Sequence, residues 1–222
     1  MTTLPEIQTN LVLVRHGEST VMDRGVVGGL KSCTGLDDLG RAQAHALLAR
    51  WQVSGEMSAA TVLYASSYPR AQETAEILRP SIGSGDLEVL IDPAFCELDP
   101  GDADGMDWKQ ASEKFHAYGD AWDPFVPWAT NAESWASFCD RVAHGLVACA
   151  DRHPGETVVI ACHGGVVDAA FRHCLRLGIT GQYDLWTLNT SISEFRLNHS
   201  QRRWTLVRYN DHGHLTGELR HR

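Results

Sequence analysis

Apolar residues in this chain gather into short unbroken runs separated by longer stretches with helical spacing. Residues 11–14, Leu-Val-Leu-Val, and 157–161, Thr-Val-Val-Ile-Ala, lack polar alternation, which predicts strands covered on both faces in a parallel sheet. Residues 61–65 and 87–91 read as further strands. Between them, Leu39, Ala42, Ala46 and Leu47 share one face of a helix expected over 39–51. Helices are also predicted over 69–78, with Pro80 just beyond, over 133–153, and over 166–177, ending at Gly178. Residues 191–197 and 204–209 alternate well enough for a terminal hairpin or a pair of edge strands around the polar turn 198–203.

Strand and helix alternate along the chain, so the expected fold class is α/β with a mostly parallel sheet. At 222 residues a single domain, 1–222, is expected. The stretch 99–128 is rich in Gly, Pro, Asp and Trp and lacks either period, so 99–132 is expected as a lid or insertion over the sheet. Trp108, Trp122, Trp128 and Trp135 are read as packing of that lid.

Composition then narrows the partners. Asp and Glu total 28 against 19 Lys and Arg, a formal charge of −9, which argues against nucleic acid and anionic membranes as partners. Any bound anion has to be gripped by a local cluster of cations. No apolar run approaches the ~20 residues that span a bilayer. Residues 1–10 have no basic leader pattern, so a cytoplasmic protein is expected. The 6 cysteines form no C-x-x-C pair and are read as reduced and structural. Homo-oligomerisation stays open.

Candidate chemistry collects where strands end, which is where open α/β sheets bind ligands. The run 11–14 leads into Arg15-His16-Gly17-Glu18, and the run 157–161 leads through Cys162 into His163-Gly164-Gly165. These histidines therefore hold equivalent places. Gly17, Gly164 and Gly165 have no Cβ, so backbone amides there can approach an anion, helped by the helix start after His163. The strand 61–65 is followed by Ser66-Ser67-Tyr68-Pro69-Arg70, which sets Arg70 in the first turn of a helix at the same edge. The strand 87–91 leads to Glu97, a natural proton donor. Arginine forks match phosphate oxygens bidentately, so Arg15, Arg70, His16, His163 and Glu97 point to a phosphate ester as ligand.

Arg15-His16-Gly17-Glu18, the segment 36–43, Ser66 through Arg70-Ala71 to Thr74-Ala75, Glu97 with Gly101 and Gly105, Glu133-Ser134 and His163-Gly164-Gly165 together resemble the histidine phosphatase superfamily, the phosphoglycerate mutase-like group. The resemblance implies a three-layer α/β/α sandwich and phosphoryl transfer through a phosphohistidine. It implies His16 as nucleophile, Glu97 as proton donor, and Arg15, Arg70, His163 and Gly164 around the phosphate. The loop 28–35 resembles the family's entrance loop, where Thr34 is implied as a further phosphate contact. Two positions depart from the pattern: Met22 stands where the family usually has Asn, and Asp37 where it usually has Thr.

The expected reaction is hydrolysis of a small-molecule phosphomonoester without metal or other cofactor. The family's glycolytic mutases follow the acidic donor with basic residues, whereas here no Arg or Lys follows Glu97 until Lys109. Mutase chemistry therefore ranks second, and a non-catalytic phosphate-binding protein on the same fold is a further alternative. A zinc site is disfavoured because no H-E-x-x-H spacing occurs and neighbouring arginines would repel the metal. A phosphate-binding P-loop at 25–32 fails because Leu30, not Gly, precedes Lys31-Ser32.

Overall fold

Strands β1 (Gln8–Arg15), β2 (Val62–Ala65), β3 (Val89–Ile91), β4 (Thr157–Cys162), β5 (Ile192–Asn198) and β6 (Arg203–Asp211) form one sheet in the order β3-β2-β4-β1-β5-β6. This computed structural model describes residues 6–115, 123–180, 183 and 185–220; Trp122 lies outside them. The pairs β1·β4, β2·β4 and β2·β3 are parallel, while β5 runs antiparallel to β1 and β6. The helices are α1 (Thr20–Asp23), α2 (Asp38–Ser54), α3 (Pro69–Leu78), α4 (Trp108–Phe115), α5 (Trp135–Arg152) and α6 (Gly164–Cys174).

Because side chains alternate across a strand, the unbroken apolar runs feed both faces of the sheet. Leu11, Leu13, Tyr64, Val158 and Ile160 pack with Phe138 and Val142 of α5 and Val166 and Phe171 of α6. Val12, Val14, Leu63, Val159 and Ala161 pack on the opposite side with Leu47 and Trp51 of α2 and Ala75 and Leu78 of α3. The result is an α/β/α sandwich. Full burial of each large side chain, such as Trp51, Phe95, Phe138 or Phe195, stabilises the fold by about 1.5–3 kcal/mol.

Several bounds differ from those the sequence predicts. β3 begins at Val89 because only Val89–Ile91 find partners, in Leu63, Tyr64 and Ala65 of β2. α6 begins at Gly164 and ends at Cys174; Arg176 takes a left-handed φ of 56° that stops the helix before Gly178. Trp135 does not belong to the lid packing. Ser134 caps α5 by accepting from Ser137 N–H, so Trp135 is the first residue of that helix and packs on Phe138, ring centroids 5.3 Å apart. Trp108 and Trp128 do stack, at 5.9 Å, beside a small apolar cluster of Val27, Ala103, Ala111 and Ala129.

Candidate active site

The parallel strands β1, β4 and β2 end side by side, which brings distant residues together. His16 N–H donates to the carbonyl of Cys162 at 2.9 Å and Ser66 N–H to that of Ala161 at 3.1 Å, so His16, His163 and Ser66 stand along one sheet edge. The close approach of α2 fixes the first turn after β1. A Cβ on Gly17 would lie 2.4 Å from the carbonyl oxygen of Gly40, and one on Gly40 only 1.9 Å from that of Glu18. Gln43 accepts from Glu18 N–H at 2.9 Å, and Thr74 from Gly17 N–H at 3.2 Å.

His16 Nδ1 lies 2.6 Å from the carbonyl oxygen of Gly17. A carbonyl only accepts, so Nδ1 holds the ring proton and Nε2 keeps its lone pair. Arg70 Nε donates to that Nε2 at 3.1 Å and to His163 Nδ1 at 3.3 Å. The guanidinium is placed by Tyr68, whose ring centroid is 4.6 Å away, and by the carbonyl of Gly28, which accepts from its NH1 at 3.2 Å. Burial pushes both imidazoles well below the usual 6.5, and Arg70 adds to the effect. Both rings are therefore neutral near pH 7. Ser66 Oγ sits 2.7 Å from His163 Nε2. Because Nδ1 accepts from Arg70, the proton of the neutral ring is on Nε2 and is donated to Ser66 Oγ; if Arg70 Nε turns to a ligand, the hydroxyl can donate to Nε2 instead and the ring proton can move to Nδ1.

Arg15 gives its NH1 to the carbonyl of Thr187, while its buried Nε has no hydrogen-bond partner among the described residues. A Cβ on Gly164 would be 3.7 Å from that Nε, so the donor faces the start of α6. Burial lowers the guanidinium's pKa, opposed by Glu97 and Glu18. Glu97 follows a short 3-10 turn, Pro93–Phe95, and its Oε2 accepts from Gly165 N–H at 3.0 Å. Arg15, His16, Arg70, Glu97 and His163 thus meet in one cluster, and Gly164 and Gly165 form its floor.

Thr34 is exposed, and its hydroxyl hydrogen bonds that of Thr20 at 2.7 Å rather than any side chain of the cluster. Met22 places its sulfur 3.9 Å from Arg15 NH2, and Asp37 caps α2 by accepting from Gly40 N–H at 2.7 Å. Other residues of the cluster were not marked by any local pattern. Asn189 donates to the His16 carbonyl at 3.0 Å, and the Gly28 carbonyl reaches Arg70 from a loop held by Asp104. The Asp104 carboxylate accepts from Gly29 N–H at 2.9 Å and Lys31 N–H at 2.8 Å.

Clefts open on both sides of the cluster. One, of about 580 Å³, includes Glu97, Asp99, Glu133 and Tyr68; the other, of about 550 Å³, includes Arg15, Met22, Asp37 and Trp186. Among the described residues, no group of His, Cys, Asp and Glu is arranged to hold a metal ion. Among the same residues, no helix is long and apolar enough to cross a membrane.

A model of the histidine phosphatase superfamily (branch 1) matches residues 11–212. The phosphoglycerate mutase-like protein 4 of Arabidopsis thaliana is 33% identical over 211 residues, 92% of this chain and 86% of that protein. The metal-independent phosphoserine phosphatase of the same plant is 28% identical over 213 residues, covering 94% of this chain and 84% of that one. A mycobacterial glucosyl-3-phosphoglycerate phosphatase, solved with VO3, aligns at a TM-score of 0.74 with 26% identity, over 91% of this chain and 98% of its own.

Proposed function

The chain belongs to the histidine phosphatase superfamily, and from that premise we propose that it hydrolyses small-molecule phosphomonoesters through a phosphohistidine on Nε2 of His16. The observation that carries this reading is the 2.6 Å contact between His16 Nδ1 and the Gly17 carbonyl, which leaves Nε2 unprotonated inside a cradle of donors. Nε2 attacks phosphorus in line; the N–P bond forms as the ester P–O bond breaks. Arg15, Arg70, His163 and the amide of Gly164 hold the equatorial oxygens, which supplies most of what a loose phosphoryl transition state requires. Glu97 gives its proton to the departing alkoxide. Its carboxylate then takes a proton from the water that breaks the N–P bond and releases phosphate.

The described part of segment 99–132 acts in this reading as a lid, tied to the entrance loop through Asp104; residues 116–122 lie outside the described residues. The arginines offset the phosphate charge, so no metal is needed. Names of the relatives support phosphatase chemistry: phosphoserine for the plant enzyme and glucosyl-3-phosphoglycerate for the mycobacterial one. The acidic rim beside Glu97 favours release of phosphate to water over retention of a bisphosphate.

Phosphate release from a set of phosphomonoesters, measured with and without EDTA, tests the reading. Turnover unaffected by the chelator supports it. Turnover lost with EDTA and restored by zinc or magnesium contradicts it. Rapid conversion of 3-phosphoglycerate to 2-phosphoglycerate primed by 2,3-bisphosphoglycerate would place mutase first.

A further inference from the structure

We infer that the alcohol released at this site carries no anionic group and that a protonated amino alcohol suits it best, a specificity that rests on the phosphatase reading above. In the proposed mechanism Glu97 protonates the leaving oxygen, and the inference places the alcohol in the cleft of about 580 Å³ that Glu97 lines. The titratable groups there besides Glu97 are Tyr68, Asp99, Glu133, Arg141 and Cys96.

Arg141 is the one guanidinium in that wall, and its donors are already engaged. Its Nε and NH2 donate to Glu133 at 3.0 and 2.7 Å. Its NH1 donates to the carbonyls of Pro93, Ala94 and Cys96 at 3.1, 3.0 and 3.1 Å, and NH2 reaches the Glu97 carbonyl at 3.4 Å. Turning this fork toward a substrate carboxylate would strand those carbonyls and Glu133, and would loosen the very segment that carries Glu97. Arg141 is thus a structural cation, and the wall it serves presents net negative charge to the alcohol.

The cleft on the other side of the cluster has the same sign. Glu18, Asp23, Asp37 and Asp38 outnumber Arg15, which faces the phosphate position, and Trp186 there is 59% exposed, with an indole of the kind that receives cations. The chain's lysines, Lys31, Lys109 and Lys114, line neither cleft. Among the described residues, the unpartnered Arg15 Nε and the Arg70 fork therefore serve one phosphate, and neither cleft adds a cation available to a second anion.

The test compares kcat/KM for phosphoethanolamine, propyl phosphate and phosphoglycolate, esters of similar size that end in an ammonium, a methyl and a carboxylate, with p-nitrophenyl phosphate as a general substrate. The expected order is phosphoethanolamine, propyl phosphate, phosphoglycolate, each step about fivefold or more at low salt, the size of one charge contact across a wet cleft, and smaller at high salt. Asp99→Lys and Asp99→Asn should each lower the ratio of phosphoethanolamine to phosphoglycolate, the lysine more; a ratio within one protein is independent of how much of it is folded. If phosphoglycolate matches or exceeds phosphoethanolamine while p-nitrophenyl phosphate is hydrolysed, the charge inference falls and the phosphatase reading stands. If none of the esters is hydrolysed, both fall.

Discussion

Glu97 and Gly165 fit together with no room between them: the Gly165 amide donates to Glu97 Oε2 at 3.0 Å, and a Cβ on residue 165 would stand 2.2 Å from Oε1. The first turn of α6 therefore aims the carboxyl as well as flooring the proposed phosphate position. Gly165→Ala should displace Glu97 without disturbing His16. Alkyl phosphate hydrolysis is expected to fall about 100-fold, within the range of general acid catalysis, and hydrolysis of p-nitrophenyl phosphate, whose leaving group departs unprotonated, by less. Equal losses for the two esters would detach Gly165 from the proton donor.

Arg70 joins the histidines through a single Nε, and among the described residues no other side chain donates to both. Arg70→Ala should lower kcat/KM about 10²–10³-fold, the usual loss for one transition-state donor. Arg70→Lys should restore little, because an ammonium cannot supply the planar fork that also reaches the Gly28 carbonyl. Recovery to near wild-type activity in the lysine variant would mean that charge alone matters.

The acid limb of the pH profile reports His16. Burial first, and then Arg70 and Arg15, hold its pKa below 6.5, and in the proposed mechanism the neutral ring is the nucleophile. Activity governed by His16 is therefore full above that lowered pKa and lost as pH falls through it. The acid limb of kcat/KM should lie below pH 6.5 in the wild type and move upward in Arg70→Ala, where one of the repelling charges is gone. A limb that stays in place in the variant would contradict the assignment.

Stability has its own electrostatic knot away from the site. Arg50 of α2 grips Asp211 of β6 with NH1 and NH2 at 2.8 and 2.7 Å and Glu56 with Nε at 2.8 Å, while Arg208 reaches Glu56 at 2.8 Å. The Arg50 contacts hold the Asp211 carboxyl below its ordinary 3.8. A depressed carboxyl contributes stability above its unfolded pKa, and the contribution disappears as pH falls through the folded value. Asp211→Asn should cost about 1 kcal/mol at pH 7, since the pair is partly exposed, and the difference should shrink below pH 3.8 in urea unfolding. A gap that persists in acid would point to packing instead of charge.

Much of this site is legible in the sequence because its chemistry sits at strand ends. The apolar runs before Arg15 and His163 fix where the strands stop, and a parallel sheet then aligns those stops. Helix and strand bounds are less legible. Gly164-Gly165 has poor helix propensity, which hides the first turn of α6, although that turn is what Glu97 and Arg15 require. Trp135 looks like its neighbours in a tryptophan-rich stretch, and only the Ser134 cap assigns it to α5. Contacts made by backbone groups across long separations leave no local pattern: the Gly28 carbonyl on Arg70 and the Asp104 carboxylate on Gly29 and Lys31 depend on how loops meet. The saturated hydrogen bonding of Arg141 is likewise invisible in sequence, where it reads as one more cation on an amphipathic helix.

The covalent intermediate on His16 is the centre of the account, and acid-labile, base-stable phosphohistidine is directly measurable. The protein is mixed with labelled substrate, quenched in alkali within a fraction of a turnover, digested and mapped by mass spectrometry. The account predicts label on the peptide carrying His16 in wild type, more of it in Glu97→Gln, where the base for hydrolysis is missing, and none in His16→Ala, which should also lose turnover of every ester. Phosphate release by His16→Ala, or label on any other residue, would contradict it.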